Sequence, residues 1–113
     1  MKEIIIREKG WKLMVKLYKT AAKDGDITYD EERILTVTDA NILNLLNYVK
    51  GAWRDKILDD KEKQKITFLI KKIYDDAISV AEFDNFITNE EDSLLYIIRE
   101  VIDEFLLEQH QQF

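Results

Sequence analysis

Four times along this chain an aliphatic residue is followed by serine, threonine or aspartate, and three residues after that by glutamate. The copies are ITYDE at 27–31, LDDKE at 58–62, ISVAE at 78–82 and ITNEE at 87–91. In this spacing the first polar side chain accepts from the third following amide and the glutamate reaches back to the amide of the first, which is the reciprocal box that starts a helix. Proline is absent and glycine occurs only at 10, 25 and 51, so the breakers that sheet proteins use at their turns are nearly missing. The chain reads as all-α.

Hydrophobic periodicity places the helices. Trp11, Met14, Val15, Tyr18, Ala21 and Ala22 recur at steps of three and four and predict a helix near 11–23 with that stripe inward, widened by Leu13 and Leu17. Residues 1–10, with Ile4, Ile5, Ile6 and Gly10, either extend this helix or form a separate segment. Thr28 and Glu31 start a short helix near 28–37, and Asp39 caps another near 39–54 with Ile42, Leu45, Leu46, Val49 and Trp53 inward. Asp59 and Glu62 start a helix near 59–77 that buries Ile66, Leu69, Ile70, Ile73 and Ala77. Ser79 and Glu82 start a short one near 79–87 bearing Phe83 and Phe86. Thr88 and Glu91 start the last, near 88–108, with Leu94, Leu95, Ile98, Val101, Ile102, Phe105 and Leu106 on one face and a polar tail at 109–113. The expectation is one domain over 1–113, a compact bundle of five to six helices. DGDITYDEERIL (24–35) and DDAISVAEFDNF (75–86) share Asp-x-x-Ile-(Ser/Thr)-x-x-Glu-x-x-x-(Leu/Phe), a pattern that suggests two related helical halves.

With 46% apolar and 35% charged residues the chain has enough apolar surface to close a core, and no apolar run approaches the roughly 20 residues of a membrane span. MKEIIIREKGW has too short an apolar patch for a signal peptide, so the expected location is cytoplasmic. Cysteine is absent and the single histidine is His110, which excludes thiolate metal sites, cysteine nucleophiles and histidine-based triads. No glycine-rich phosphate loop or nucleophile elbow appears. The sequence therefore predicts a protein that is not an enzyme and has no resident cofactor.

The stretch KDGDITYDEE invites comparison with a calcium loop, whose twelve positions place oxygen ligands at one, three, five, seven, nine and twelve and glycine at six. With Ile27 at eight, Asp24 falls at five, Gly25 at six, Asp26 at seven, Thr28 at nine and Glu31 at twelve, but Thr20 and Ala22 occupy one and three. This is a degenerate EF-hand loop. Asp24, Asp26 and Glu31 are its candidate ligands for weak calcium or magnesium binding. A left-handed glycine ending one helix, followed by a capped start of the next, explains the same residues without a metal.

Ala21, Ala22, Asp24, Gly25, Ile27 and Glu31, in TAAKDGDITYDEERIL, resemble the A-x-x-D-G-x-I-x-x-x-E turn of the TerB-like tellurite-resistance domains. Lys23 stands where that family tends to have a small or acidic residue. The resemblance implies a cytoplasmic all-α domain that works in protein complexes, with acidic surface patches suspected of holding cations.

Charge is divided along the chain. Residues 1–23 carry seven Lys/Arg against two acids, and residues 75–113 one against eleven, within a net charge of −6. Lys9, Lys12, Lys16, Lys19 and Lys23 line the first helix, while Glu100, Asp103, Glu104 and Glu108 form an acidic stripe on the last. The two can attract one another within the fold, or the acidic stripe can be a docking surface for a partner. The functional expectation is a protein-interaction module of TerB-like type with that stripe as its partner-binding surface. The alternative is an acidic inhibitor or nucleic-acid mimic of a mobile element that occupies a basic host protein. A sequence pI near 4.8 argues against direct nucleic-acid binding, and a homodimer through the last helix remains an open arrangement.

Overall fold

The computed structural model describes residues 3–23, 25–52, 54, 58–83 and 87–112. Among them the protein has four helices and no strand: α1 (Glu3–Ala21), α2 (Tyr29–Ala52), α3 (Asp60–Ala81) and α4 (Asn89–Gln112). α1 packs on α2 and α4, α3 packs on the same two, and α2 touches α4 across the diagonal. With short connections this makes an up-down-up-down bundle 45 Å long and 20–25 Å across. The all-α expectation holds, whereas five to six helices become four.

Both extra helices disappear for a physical reason. Asp39 was expected to cap a new helix, yet Ile34, Leu35, Thr38, Asn41, Ile42, Leu45 and Val49 form one unbroken buried stripe through it. The apolar phase before and after Asp39 is the same and no glycine or proline separates the parts, so one helix buries both. Asp39 is an exposed mid-helix residue. Ser79 likewise caps nothing. It lies inside α3 and its hydroxyl donates to the Asp75 carbonyl at 3.0 Å, while Glu82 is the C-cap of the same helix. Ala77 and Ala81 keep the last turns of α3 in the core. Phe83, expected on a short helix after Ser79, is 75% exposed, and Phe86 lies outside the described residues.

The other three boxes form. Asp59 Oδ1 accepts from the Glu62 amide at 2.8 Å and Glu62 Oε1 accepts from the Asp59 amide at 3.0 Å. Thr28 with Glu31 does the same at 3.2 and 3.0 Å, and Thr88 with Glu91 at 3.1 and 3.2 Å. At the N-terminus α1 runs straight through Gly10, so residues 3–10 extend the first helix. At the other end α4 continues to Gln112, through most of the expected polar tail.

The face that α1 buries differs from the one its sequence suggests. Ile6, Leu13, Leu17 and Ala21 are its core residues, whereas Trp11 is 68% and Tyr18 49% exposed. α1 carries two apolar stripes on opposite sides, and sequence periodicity selected the outer one. Trp53, expected inward on α2, lies outside the described residues.

The sequence also lines up with itself at an offset of 60 residues, beside the offset of 51 between DGDITYDEERIL and DDAISVAEFDNF. α1 and α3 end at Ala21 and Ala81, and α2 and α4 start at Tyr29 and Asn89. The connecting stretches AAKDGDITYDEERIL (21–35) and AEFDNFITNEEDSLL (81–95) match at the first alanine, in the Asp-x-x-Ile-Thr-x-x-Glu run and at the final leucine. Many buried positions coincide: Ile6 with Ile66, Leu13 with Ile73, Leu17 with Ala77, Glu31 with Glu91, Ile34 with Leu94, Ile42 with Ile102 and Leu45 with Phe105.

Candidate functional site

Both repeat turns lie at one end of the bundle. At the first, the Gly25 amide donates to the Ala22 carbonyl at 2.9 Å, and Gly25 has φ 95°, the left-handed conformation that ends helices. Glu31, the twelfth-position ligand of the calcium-loop reading, is 2% exposed and its Oε1 accepts the Thr28 amide. Asp26 is exposed, and Asp24 lies outside the described residues. Glu91 in the second turn is buried to the same degree, and its Oε1 also accepts the Thr88 hydroxyl at 3.1 Å. Among the described residues no three Asp, Glu, His or Cys side chains gather as metal ligands. A shallow cavity at this end is lined by Thr20, Ala21, Lys23, Glu31, Glu90 and Ser93.

The same end carries an aromatic ridge that sequence reading missed. The Arg33 guanidinium lies over the Phe83 ring at 4.9 Å and over the Tyr29 ring at 5.9 Å. Tyr29 is 74% exposed. Beside it Thr36, Val37, Ala40 and Val80 line a groove between α2 and α3. The exposed aromatics 54 residues apart are brought together only by the packing of α3 on α2.

The acidic stripe of α4 faces the lysines of α1. Lys9 Nζ lies 3.3 Å from Glu104 Oε2, and Lys16 Nζ lies 4.0 Å from Glu100 Oε2. Both pairs are solvent-exposed and contribute little to stability. They mark the relative height of the two helices. Asp103 is exposed, and the side chain of Glu108 lies outside the described ones. Tyr96, 65% exposed, hydrogen-bonds Glu100, and that carboxylate pushes its phenol above the ordinary tyrosine range.

The outer side of α1 is rich in exposed apolar side chains. Ile4 is 54% exposed, and Trp11 and Tyr18 are exposed with it. At about 100° per residue, Ile4, Trp11, Val15, Tyr18 and Ala22 fall on one strip facing away from the core. Lys12, Lys16, Lys19 and Lys23 border it and line a shallow depression with Trp11 and Val15. The equivalent strip of α3, 60 residues on, is Gln64, Lys71, Asp75, Ile78 and Glu82. α3 has a more polar outer strip, with Phe68 as its one large exposed apolar side chain, lying under Lys65.

No helix among the described residues is long and apolar enough to cross a membrane. Compared with known proteins, the chain matches no family model, no curated protein and no solved structure.

Proposed function

We propose that this chain is a non-enzymatic protein-interaction module of TerB-like kind, and that it seats a partner on the outer side of α1. The reading rests on the contrast between α1 and α3. A solvent-facing helix of a bundle needs one apolar stripe, and a helix apolar on two sides is normally covered on both. The outer strip of α3 carries Lys71, Asp75 and Glu82 with one exposed aromatic, Phe68, under Lys65, where α1 gathers Ile4, Trp11 and Tyr18, so the fold itself does not require that apolar run where it stands. Aromatic residues with an apolar strip and a charged rim are the composition of a protein interface. The lysine border selects a partner surface that is acidic around an apolar centre.

The test is a photo-crosslinking residue placed at Val15 and, as control, at its counterpart Asp75, in the cell that makes the protein. A defined adduct at Val15, absent at Asp75 and lost with Lys12→Glu/Lys19→Glu, supports the reading. Equal crosslinking at both positions sinks it. The inhibitor or mimic reading has weaker support, because Glu100 and Glu104 share their charge with α1 instead of presenting it alone. Weak calcium or magnesium binding at Asp24, Asp26 and Glu31 is a separable element of the proposal. A saturable calcium response of Trp fluorescence lost in Glu31→Gln supports it, and an unchanged signal at millimolar ion removes it.

A further inference from the structure

We propose that the partner on α1 contributes an α-helix, packed along α1 as in a two-stranded coiled coil, with two acidic residues seven positions apart set against Lys12 and Lys19; this rests on the outer side of α1 being a docking face. Along that side Ile4, Glu8, Trp11, Val15, Tyr18 and Ala22 follow one another at steps of four, three, four, three and four. That alternation is the heptad seam on which two helices interlock knobs into holes. Five of its six positions are apolar, and none is buried within the chain. At the equivalent positions of α3 only Phe68 and Ile78 are apolar, so the seam is particular to α1.

The seam is narrow. At about 100° per residue its apolar members fall within about 60° of one another, less than the arc of roughly 100° by which a helix faces a core. A strip of this width, running for about 27 Å along α1 at a rise of about 1.5 Å per residue, matches the contact line of one neighbouring helix rather than a sheet or a lipid surface.

Charge specifies which helix. With Ile4, Trp11 and Tyr18 at heptad position d, Glu8, Val15 and Ala22 take position a, and Lys12 and Lys19 fall at e, beside the seam, where coiled coils make their interhelical ion pairs. Lys9 and Lys16 fall at b and turn to Glu104 and Glu100 of α4. The pairs within the chain therefore leave the e-position lysines alone: Lys12 and Lys19 are exposed and make no ion pair among the described residues. A second copy of α1 does not fit, since a parallel arrangement sets Lys12 against Arg7 at g and an antiparallel one sets lysine against lysine. Acidic side chains at the partner's flanking positions, seven residues apart, answer both lysines. Glu8, the one charge within the seam, calls for lysine or arginine in the layer opposite and so fixes the register.

The test replaces Trp11, Val15, Tyr18 and Ala22 in turn by a photo-crosslinking residue, in the cell that makes the protein, and maps the joined residues of the partner by mass spectrometry after digestion. The expected adducts fall in one partner segment and advance through it in one direction, by three or four residues for each step along the seam. Lys12→Glu/Lys19→Glu lowers the adduct yield on the order of tenfold, and lysine in place of the two mapped partner acids nearest positions 12 and 19 restores it. Circular dichroism checks that each variant is folded, and the mapping itself keeps the native lysines. Adducts to lipid, to this chain itself, or to partner residues that are scattered or at steps of two overturn the helix, as does a yield indifferent to the charge reversal. If Val15 still crosslinks a protein above the Asp75 control in those cases, the docking face stands without the helix; if it does not, both fall.

Discussion

Gly10 on α1 and Ile42 on α2 meet so closely that a Cβ at position 10 would lie 2.7 Å from Ile42 Cγ2. Ile42 is β-branched and held in the core, so its methyl cannot swing aside as the end of a long side chain would. Gly10→Ala therefore lowers the melting temperature, although alanine in a helix interior is otherwise worth about 1 kcal/mol more than glycine. Gly51→Ala serves as the control. It has open space around it, lies near the end of α2, and should gain stability by up to about 1 kcal/mol. Equal gains at both positions would show that the close approach does not govern the α1–α2 packing.

Thr28→Ala and Thr88→Ala each remove an observed cap and should cost about 1 kcal/mol in chemical denaturation. Ser79→Ala changes stability by no more than about 0.5 kcal/mol, since Ser79 sits inside α3. A Ser79 effect as large as the two threonine effects would mean that α3 ends before it.

Thr38 is fully buried and its hydroxyl has no hydrogen-bond partner among the described residues. Its counterpart in the second half is Ile98. Removing an unsatisfied buried hydroxyl at constant shape relieves a penalty on the order of 1 kcal/mol, so Thr38→Val should raise the melting temperature, and a fall would reveal a partner for that oxygen.

Between α2 and α3, Asp76 Oδ2 accepts from Lys72 Nζ at 2.7 Å and from Asn41 Nδ2 at 2.9 Å. The hydrogen bond from Lys72 is the main cause of a carboxyl held below its ordinary range, with Asn41 adding to it against the effect of burial. A carboxyl whose folded pKa is depressed stabilises the fold above its unfolded pKa and loses that contribution as pH falls through the folded value. Asp76→Asn should then cost on the order of 1 kcal/mol at neutral pH, kept small by solvent around the pair. The difference from wild type should shrink as the medium is acidified below the ordinary carboxylate range. A difference independent of pH would assign the effect to packing.

The sequence by itself determined what depends on neighbours a few residues away. The helical class follows from the missing breakers, and the starts of α2, α3 and α4 follow from Thr28, Asp59 and Thr88 with their glutamates, because a capping box is a contact within one turn of chain. It also held the dozen residues of the repeat turn, although Ser79 imitates a cap and so supports a second alignment at an offset of 51. Tertiary structure decided the rest. Only the packing of α2 along its whole length makes Asp39 an interior residue, and only α3 continuing to Ala81 takes Ser79 out of its apparent role. On α1 two apolar stripes were available, and periodicity has no means of choosing between them. The choice went to Leu13 and Leu17 because they face the closed ring of α2 and α4, while Trp11, Val15 and Tyr18 were left outward beside lysines whose acidic counterparts lie about 90 residues away on α4. Burial is a property of the assembled bundle, and no local pattern contains it.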